Sequence, residues 1–324
     1  MQLPEPLLRA IERETSKFDG KTLARAAANL SSRYQREDFA SPVLTSDAHR
    51  AAYLAVRLPA TFAANAHVLA EVRRLTGGER IETLLDLGAG PGTALLAAQD
   101  VFPELRRADL VETDPAWLSL GQRLVQQVYP HTRVSWVRHD IRQPLQAEFH
   151  DMVVISYALG ELPRGVVENL ILAAWKMTGK FLVIIEPGTT RGFGTIHSVR
   201  SALIASGVRI LAPCPHHNAC PMAVAGDWCH FSQRVERTSL HRRLKGADLG
   251  YEDEKFSYLI ATREECVTPA ARIVRHPRKH SGHIQLTLCT AEGLKQETVT
   301  KSQKELYRAA RNAEWGDGWP AEKG

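Results

Sequence analysis

Three absences limit what this 324-residue sequence can encode. It has no apolar run near the roughly 20 residues that cross a bilayer, so we expect no membrane partner. Its first residues, MQLPEPLLRAIERETSKF, have neither the apolar core of a signal peptide nor the acid-poor composition of a transit peptide, which predicts a cytoplasmic protein. It has only five cysteines, and in a reducing compartment these favour free thiols or metal ligands over disulfides.

The sequence also lacks a strong excess of either charge, since its net charge is +5. The excess lies at the ends. Residues 1–80 have 12 Lys/Arg against 9 Asp/Glu (+3), residues 81–230 have 12 against 14 (−2), and residues 231–324 have 17 against 13 (+4). Basic flanks favour contact with a polyanion such as RNA, although an ordinary solvated surface is the alternative. The densest stretch, RIVRHPRKHSGH, predicts phosphate contacts from Arg272, Arg275, Arg278 and Lys279.

Hydrophobic periodicity divides the chain into three regions. Residues 1–80 repeat apolar positions at three- and four-residue spacing, which predicts a helical N-terminal region. Residues 81–200 alternate five short apolar strands with helices of about 10–15 residues, which predicts an α/β fold with a doubly wound parallel sheet. Residues 201–324 contain a cysteine-rich segment, basic strands and a final helix, and we predict an α+β extension there.

A glycine-rich turn ends the first predicted strand in LDLGAGPG. Gly88, Gly90 and Gly92 give G-x-G-x-G rather than the G-x-G-x-x-G of dinucleotide folds, and Asp86 stands two residues before the first glycine. A carboxylate at this place disfavours phosphate and favours a cationic ligand. The stretch resembles motif I of the class I S-adenosylmethionine (SAM) methyltransferases, whose ligand carries a positive sulfonium and an α-ammonium group. We therefore expect a Rossmann-like class I methyltransferase sheet that binds SAM.

Polar side chains also follow the next three strands. Glu112 ends the second strand and can accept hydrogen bonds from ribose hydroxyls, with Asp114 as the alternative. Asp140 follows the third strand and can accept from the adenine amino group. Ser156, at the end of the fourth strand, completes the predicted cofactor-binding set.

The position where this fold usually places its chemistry has no familiar catalytic group. The fourth strand continues as ISYALGELP, without the Asn-Pro-Pro-Tyr clamp of amino-methylating enzymes, and no cysteine precedes residue 214 to act as a nucleophile. Tyr157 and Glu161 are the candidate catalytic residues, and Tyr157 can instead stack on a base or pack in the sheet. We expect SAM binding without methyl transfer, with an active SAM-dependent RNA methyltransferase as the alternative.

The segment CPHHNACPMAVAGDWCHF places Cys214, Cys220 and Cys229 within sixteen residues. The x5 and x8 spacings lack the C-x2-C knuckle typical of zinc sites. A [4Fe-4S] cluster accepts such irregular spacing because each of its irons takes one thiolate. A zinc site completed by His216 or His230 is the alternative.

A fourth thiolate has two candidates. We choose Cys289, at the end of the strand-like run GHIQLTLC, which can bring its last residue against the segment. Cys266 lies in the charged turn TREECVTP, and we expect it to be free.

A series of segments carries a resemblance to one family. In order they are LSSRYQRE, RLPATFAA, LDLGAGPGTA, SYALGEL, EPGTTRGF, CPHHNACP, DWCHFSQRV, and GHIQLTLC followed by WGD. They resemble the methyltransferase-like protein 17 family, which assembles the small subunit of the mitochondrial ribosome. The resemblance covers nearly the whole chain.

The resemblance implies a SAM-binding fold without catalysis and a [4Fe-4S] cluster on Cys214, Cys220, Cys229 and Cys289. It also implies that the protein binds the small ribosomal subunit, in contact with 16S-type rRNA, as an assembly or translation factor. Because the sequence shows no transit peptide, we expect a bacterial, cytoplasmic member that acts as a monomer.

Overall fold

The computed structural model describes residues 1–36, 46–265 and 267–320. Its N-terminal part is helical, with α1 (Glu5–Thr15), α2 (Gly20–Arg36), α3 (Asp47–Val56) and α4 (Leu58–Leu75). The long apolar pattern of residues 51–75 is divided between two helices at Arg57, because Pro59 has no N–H to continue a helix that reaches it from α3. Helix α4 is buried along most of its length and packs against strands of the main sheet.

The predicted doubly wound sheet is confirmed. Strands β1 to β5 are parallel and lie in the order β3-β2-β1-β4-β5. The strands are β1 (Thr83–Leu87), β2 (Arg107–Glu112), β3 (Arg133–Arg138), β4 (His150–Ser156) and β5 (Thr178–Pro187). The helices between and after them are α5 (Thr93–Val101), α6 (Pro115–Val128), α7 (Arg164–Lys176) and α8 (Thr190–Ala205).

Three further strands extend this sheet beyond residue 200. Strand β8 (Tyr251–Thr262) lies antiparallel to β5, and β6 (Arg209–Ala212) and β7 (Phe231–Glu236) both pair with β8. Phe256 of β8 pairs with Pro187 of β5 and also with Phe231 of β7, so β7 shares the far edge of β8 with β6. The cysteine segment therefore leaves this edge after β6 and returns to it at β7.

The C-terminal residues form a second sheet of order β10-β11-β9-β13, with β12 paired to β11. Its core contains Ile273, Leu286 and Val299, packed under a final helix. The strands are β9 (Ala271–Ile273), β10 (Arg278–Lys279), β11 (His283–Thr290), β12 (Gly293–Thr300) and β13 (Gly318–Trp319). The remaining helices are α9 (Pro221–Val224), α10 (Ser239–Lys245) and α11 (Lys304–Asn312).

Both faces of the main sheet are buried. Leu84 and Val154 point into one apolar cluster, while their neighbours Leu85 and Val153 point into the other. Successive side chains alternate across a strand, so a sheet covered on both faces needs nearly continuous apolar strands, as the sequence has. In the described part of the chain, every helix is too short or too polar to cross a bilayer.

Candidate functional site

The glycine turn lies where β1 ends and α5 begins. Gly88, Gly90 and Gly92 have φ of 80°, 54° and 82°, a region that side chains rarely adopt. A Cβ on Gly88 would lie 2.8 Å from Cβ of Ala158, whereas a Cβ on Gly90 would meet no atom within 4 Å. The turn thus packs tightly at its start and leaves open space at Gly90.

Asp86 lies beneath this turn and is 1% exposed. Its Oδ2 atom has no hydrogen-bond partner among the described residues. Burial, together with the nearby Glu112 carboxylate, raises the pKa of Asp86 to about 8. A buried carboxyl group with an unmatched oxygen is costly unless a ligand supplies a partner, and a cation is the partner that suits it.

Glu112, at the end of β2, reaches back to the glycine turn. Its Oε2 atom accepts from the backbone N–H of Gly90 at 2.9 Å, and Oε1 accepts from the N–H groups of Thr113 and Asp114. Asp114 instead caps α6 and pairs with Arg50 at 2.6 Å. Of the two alternatives for the ribose, Glu112 lies at the turn and Asp114 is held by other partners. The ribose role stays a prediction.

The other two predicted cofactor-binding residues, Asp140 and Ser156, lie at the carboxyl ends of β3 and β4. Asp140 accepts from the guanidinium and the backbone N–H of Arg142. Ser156 Oγ accepts from Nδ2 of Asn65 at 2.9 Å. Asn65 is 1% exposed, and its Oδ1 has no partner among the described residues. The helical pattern of α4 gave no signal for this polar group, because it predicted only an amphipathic helix.

Tyr157 follows β4 at the usual catalytic position, with a φ of 56°. Its hydroxyl donates to Glu254 at 2.9 Å, and Glu254 accepts two hydrogen bonds from Arg57, at 2.8 and 2.7 Å. The Arg57 guanidinium lies 5.3 Å from the centre of the Tyr157 ring. Burial raises the pKa of Tyr157 well above its usual value. The structure therefore packs Tyr157 into an ion-pair network instead of presenting it to a base.

Two further carboxyl groups lie near this position. Glu161, the other catalytic candidate, is exposed at the end of a single 3-10 turn (Leu159–Glu161). Glu186, near the end of β5, is buried and accepts from the N–H of Leu159 at 2.9 Å. Burial raises the pKa of Glu186 to about 7. Our sequence reasoning missed Glu186, although it also ends a strand of the sheet and the same rule would have found it.

All four predicted cysteine ligands line one cavity of about 40 Å³ between α8, β8 and the second sheet. Cys220 and Cys289 are buried, and Cys214 and Cys229 are partly buried. The walls are otherwise largely apolar, formed by side chains that include Phe193, Ile196, Met222, Leu259 and Val274. Burial raises the pKa of Cys229 well above its usual value and that of Cys289 to about 12. Cys266 lies outside the described residues.

The alternative zinc ligands differ in position. His216 Nε2 lies 3.6 Å from Sγ of Cys289. His230 stacks on Trp228 and meets the edge of Trp315, with ring centroids 5.2 and 4.8 Å apart. Across residues 1–36, 46–265 and 267–320, no group of three or more Cys, His, Asp or Glu side chains is placed to hold one metal ion.

The basic stretch does not lie wholly at the surface. Arg278 and Lys279 are exposed on β10. Arg275 pairs with Asp227 of the cysteine segment. The expected phosphate contact of Arg272 is wrong, because this side chain is 1% exposed and its Nη1 pairs with Glu71 of α4 at 2.7 Å. Arg272 also lines the cysteine cavity.

The strand order, with antiparallel β8 inserted between β5 and β6, and the glycine turn after β1 define a member of the class I SAM-methyltransferase superfamily. The family model described as mitochondrial small ribosomal subunit Rsm22 matches residues 47–320. The chain belongs to that family. The matched range includes both the glycine turn and the cysteine cavity.

The chain is also similar to other known proteins and to solved structures. The chain is 28% identical to the human mitochondrial ribosome assembly protein METTL17 over 83% of its own length and 62% of that protein. It is 26% identical to Rsm22-cox11 tandem protein 2 of Schizosaccharomyces pombe, over 84% of its length and 43% of that protein. It thus spans less than two thirds of either relative. Magnesium protoporphyrin IX methyltransferase from Synechocystis PCC 6803 with bound SAM is similar at a TM-score of 0.43 and 13% identity, covering 76% of this chain and 98% of that one.

Proposed function

We propose that this protein is a SAM-binding assembly factor of the small ribosomal subunit that holds a [4Fe-4S] cluster and transfers no methyl group. The observation that carries the proposal is the extent of the family match, which spans the glycine turn and the cysteine cavity together.

SAM suits the first site because of charge. The ligand brings a sulfonium and an ammonium group to a turn that has the unmatched carboxyl group of Asp86 and open space at Gly90. Glu112 lies within reach of a ribose bound there, since its carboxylate already contacts Gly90 N–H. When bound, SAM would supply a nucleoside anchor and a methyl group, and these residues would hold its cationic end and its sugar.

The second site suits a metal cluster because of its donors. Four thiols around a small and largely apolar cavity are the soft ligands that iron–sulfur clusters take. Cys214, Cys220, Cys229 and Cys289 would hold the cluster, which would cross-link the main sheet to the second sheet. Zinc is the competing occupant, and metal analysis of the purified protein separates the two.

The ribosomal part rests on the family and on charge. The family description names the small ribosomal subunit, and the human relative is named a ribosome assembly protein. The exposed Arg278 and Lys279 and the positive C-terminal region offer contacts for rRNA phosphates. The cytoplasmic, bacterial setting and the monomeric state stay predictions.

The absence of methyl transfer rests on Tyr157. Its hydroxyl donates to Glu254, which is itself paired with Arg57, so the Tyr157 hydroxyl is engaged within the protein and is not free to position a methyl acceptor. The competing function is an active RNA methyltransferase. Purified protein is incubated with radiolabelled SAM and immature small subunits. We expect bound label that is released on denaturation, whereas label covalently attached to RNA would establish the competing function.

Binding to the ribosome needs its own test. Immature small subunits from the source organism are sedimented with wild-type protein and with a variant carrying Arg278→Glu and Lys279→Glu. We expect co-sedimentation of the wild type and weaker, more salt-sensitive binding of the variant, because two phosphate contacts become repulsive. Failure of the wild type to sediment with any small-subunit particle would contradict the assignment.

A further inference from the structure

Arg200 on α8 is a buried cation, 5% exposed, that lines the cysteine cavity. Its Nε donates to Sγ of Cys214 at 3.2 Å. Its Nη2 donates to the backbone oxygens of His216 and Asn218, at 2.9 and 2.8 Å. The guanidinium thus contacts one predicted ligand and the loop that leads from it to the next, Cys220.

The charge of Arg200 has no carboxylate to balance it among the described residues. Arg272, the other arginine on the cavity wall, is compensated by Glu71, yet its Nη2 is buried with no hydrogen-bond partner in the described part of the chain. Burying an unpaired charge is strongly unfavourable, so buried charges in native proteins are paired with an opposite charge. The cavity is where such an anion would lie.

We propose that Arg200 is the counter-ion of an anionic group in the cysteine cavity and that it sets the reduction potential of that group. The inference rests on the [4Fe-4S] cluster of the proposed function, because four thiolates around iron make the site anionic. Arg200 is a positioning residue, since it acts through Cys214 and through the loop carbonyls.

The direction of the effect follows from charge. When a cluster accepts one electron, its negative charge increases, and a nearby cation stabilises the reduced form more than the oxidised form. A hydrogen bond to a ligating sulfur acts in the same direction. Arg200 therefore raises the reduction potential, and its removal lowers it.

The test uses whole protein prepared without oxygen, as wild type, Arg200→Gln, Arg200→Lys and Arg209→Gln. Arg209→Gln is the matched control. It is the same substitution at an arginine that is exposed on β6 and lies outside the cavity. Iron and sulfide are counted, the fold is checked by circular dichroism, and the potential is measured by dithionite titration. We expect Arg200→Gln to shift the one-electron equilibrium at least tenfold toward the oxidised form, which is about 59 mV. Arg200→Lys should shift it less, and Arg209→Gln should match the wild type.

The outcomes separate the two proposals. If the wild-type protein contains no iron, both the proposed cluster and the proposed role of Arg200 are wrong. Iron-loaded wild type with an unchanged potential in Arg200→Gln would overturn the role of Arg200 and leave the cluster standing. If the Arg200→Gln variant folds but loses its iron, its iron content is compared with that of Arg200→Lys. Retention of iron in the lysine variant supports the need for charge, and equal loss in both variants contradicts it.

Discussion

Arg272 Nη1 lies 2.7 Å from Oε1 of Glu71, and the two residues are 201 positions apart in the chain. The pair joins β9 of the second sheet to helix α4, which packs on the main sheet. Arg272 also donates to the backbone oxygens of Pro213 and Gly316. One buried side chain therefore connects the helical region, the start of the cysteine segment and the C-terminal residues.

Breaking this pair should destabilise the whole protein. Arg272→Met leaves Glu71 with Arg74 as its remaining partner and takes the donor from the buried backbone oxygens of Pro213 and Gly316, so we expect the free energy of unfolding to fall by about 3 kcal/mol. Urea unfolding followed by circular dichroism measures it.

The exposed pair of Arg80 and Glu82 is the control, because its side chains are 62% and 45% exposed. Arg80→Met should cost less than about 1 kcal/mol. An equal loss in both variants would show that the Arg272 pair has no special role.

Asp86 should favour SAM binding while its ionised form lowers the stability of the folded protein. Because its pKa is raised from 3.8 to about 8, the folded state holds a proton that the unfolded state releases, and stability falls as pH rises between these values. The slope is at most about 1.4 kcal/mol per pH unit. Asp86→Asn removes this loss, so we expect the variant to be a few kcal/mol more stable at pH 7 and to bind SAM poorly.

The same group should make SAM affinity depend on pH. The carboxylate is needed for the cationic ligand, so affinity in calorimetric titrations should rise toward pH 8 in the wild type. The Asp86→Asn variant should lose that rise. A variant that binds SAM as the wild type does at every pH would show that Asp86 does not face the ligand.

Gly90 should be needed for the ligand and not for the fold. A Cβ at this position meets no protein atom within 4 Å, so Gly90→Ala suffers only backbone strain but occupies the open space at the turn. Gly77→Ala is the matched control, since Gly77 has a φ of 66° and equally open surroundings. We expect similar losses in melting temperature for both variants and loss of SAM binding for Gly90→Ala alone. Equal SAM affinity in the two would contradict the site.

Cys220→Ser should release the cluster and loosen the second sheet. Cys220 is buried with Val274, which directly follows β9, and with Cys289 of β11, so its side chain packs against the second sheet. We expect loss of iron and earlier proteolysis beyond β8, with β1 to β5 still protected. Cys266→Ser is the control, and it should keep its iron. Simultaneous cleavage of both sheets would show that the cluster does not act locally.

Local patterns allowed much of the main sheet to be predicted. Strands β1 to β5 and the helices between them follow from apolar periodicity, and the turn at Gly88 follows from glycine spacing. Strands β6 and β7 could not be predicted in the same way, because they lie on either side of the cysteine segment and outside the alternation of strands and helices. Their pairing with β8 is a tertiary relationship that no local pattern contains.

The candidate sites could be proposed from the sequence where the chemistry is local. Acids after strands and closely spaced cysteines pointed to Asp86, Glu112 and the cysteine cavity. The role of Arg272 was not predictable. A basic residue in a basic stretch is expected to be solvated, and its contact with Glu71, 201 residues away, is tertiary. Arg200 was missed for the opposite reason, because it lies alone in a helix that gave only an amphipathic pattern.

Above all, we propose that thiolates from the cysteine segment and from β11 of the second sheet hold an iron–sulfur cluster in a SAM-binding fold. The most direct measurement is the iron and acid-labile sulfide content of protein purified without oxygen. About four irons and four sulfides per chain are predicted. Folded protein that binds SAM and contains no iron or sulfide would contradict the account.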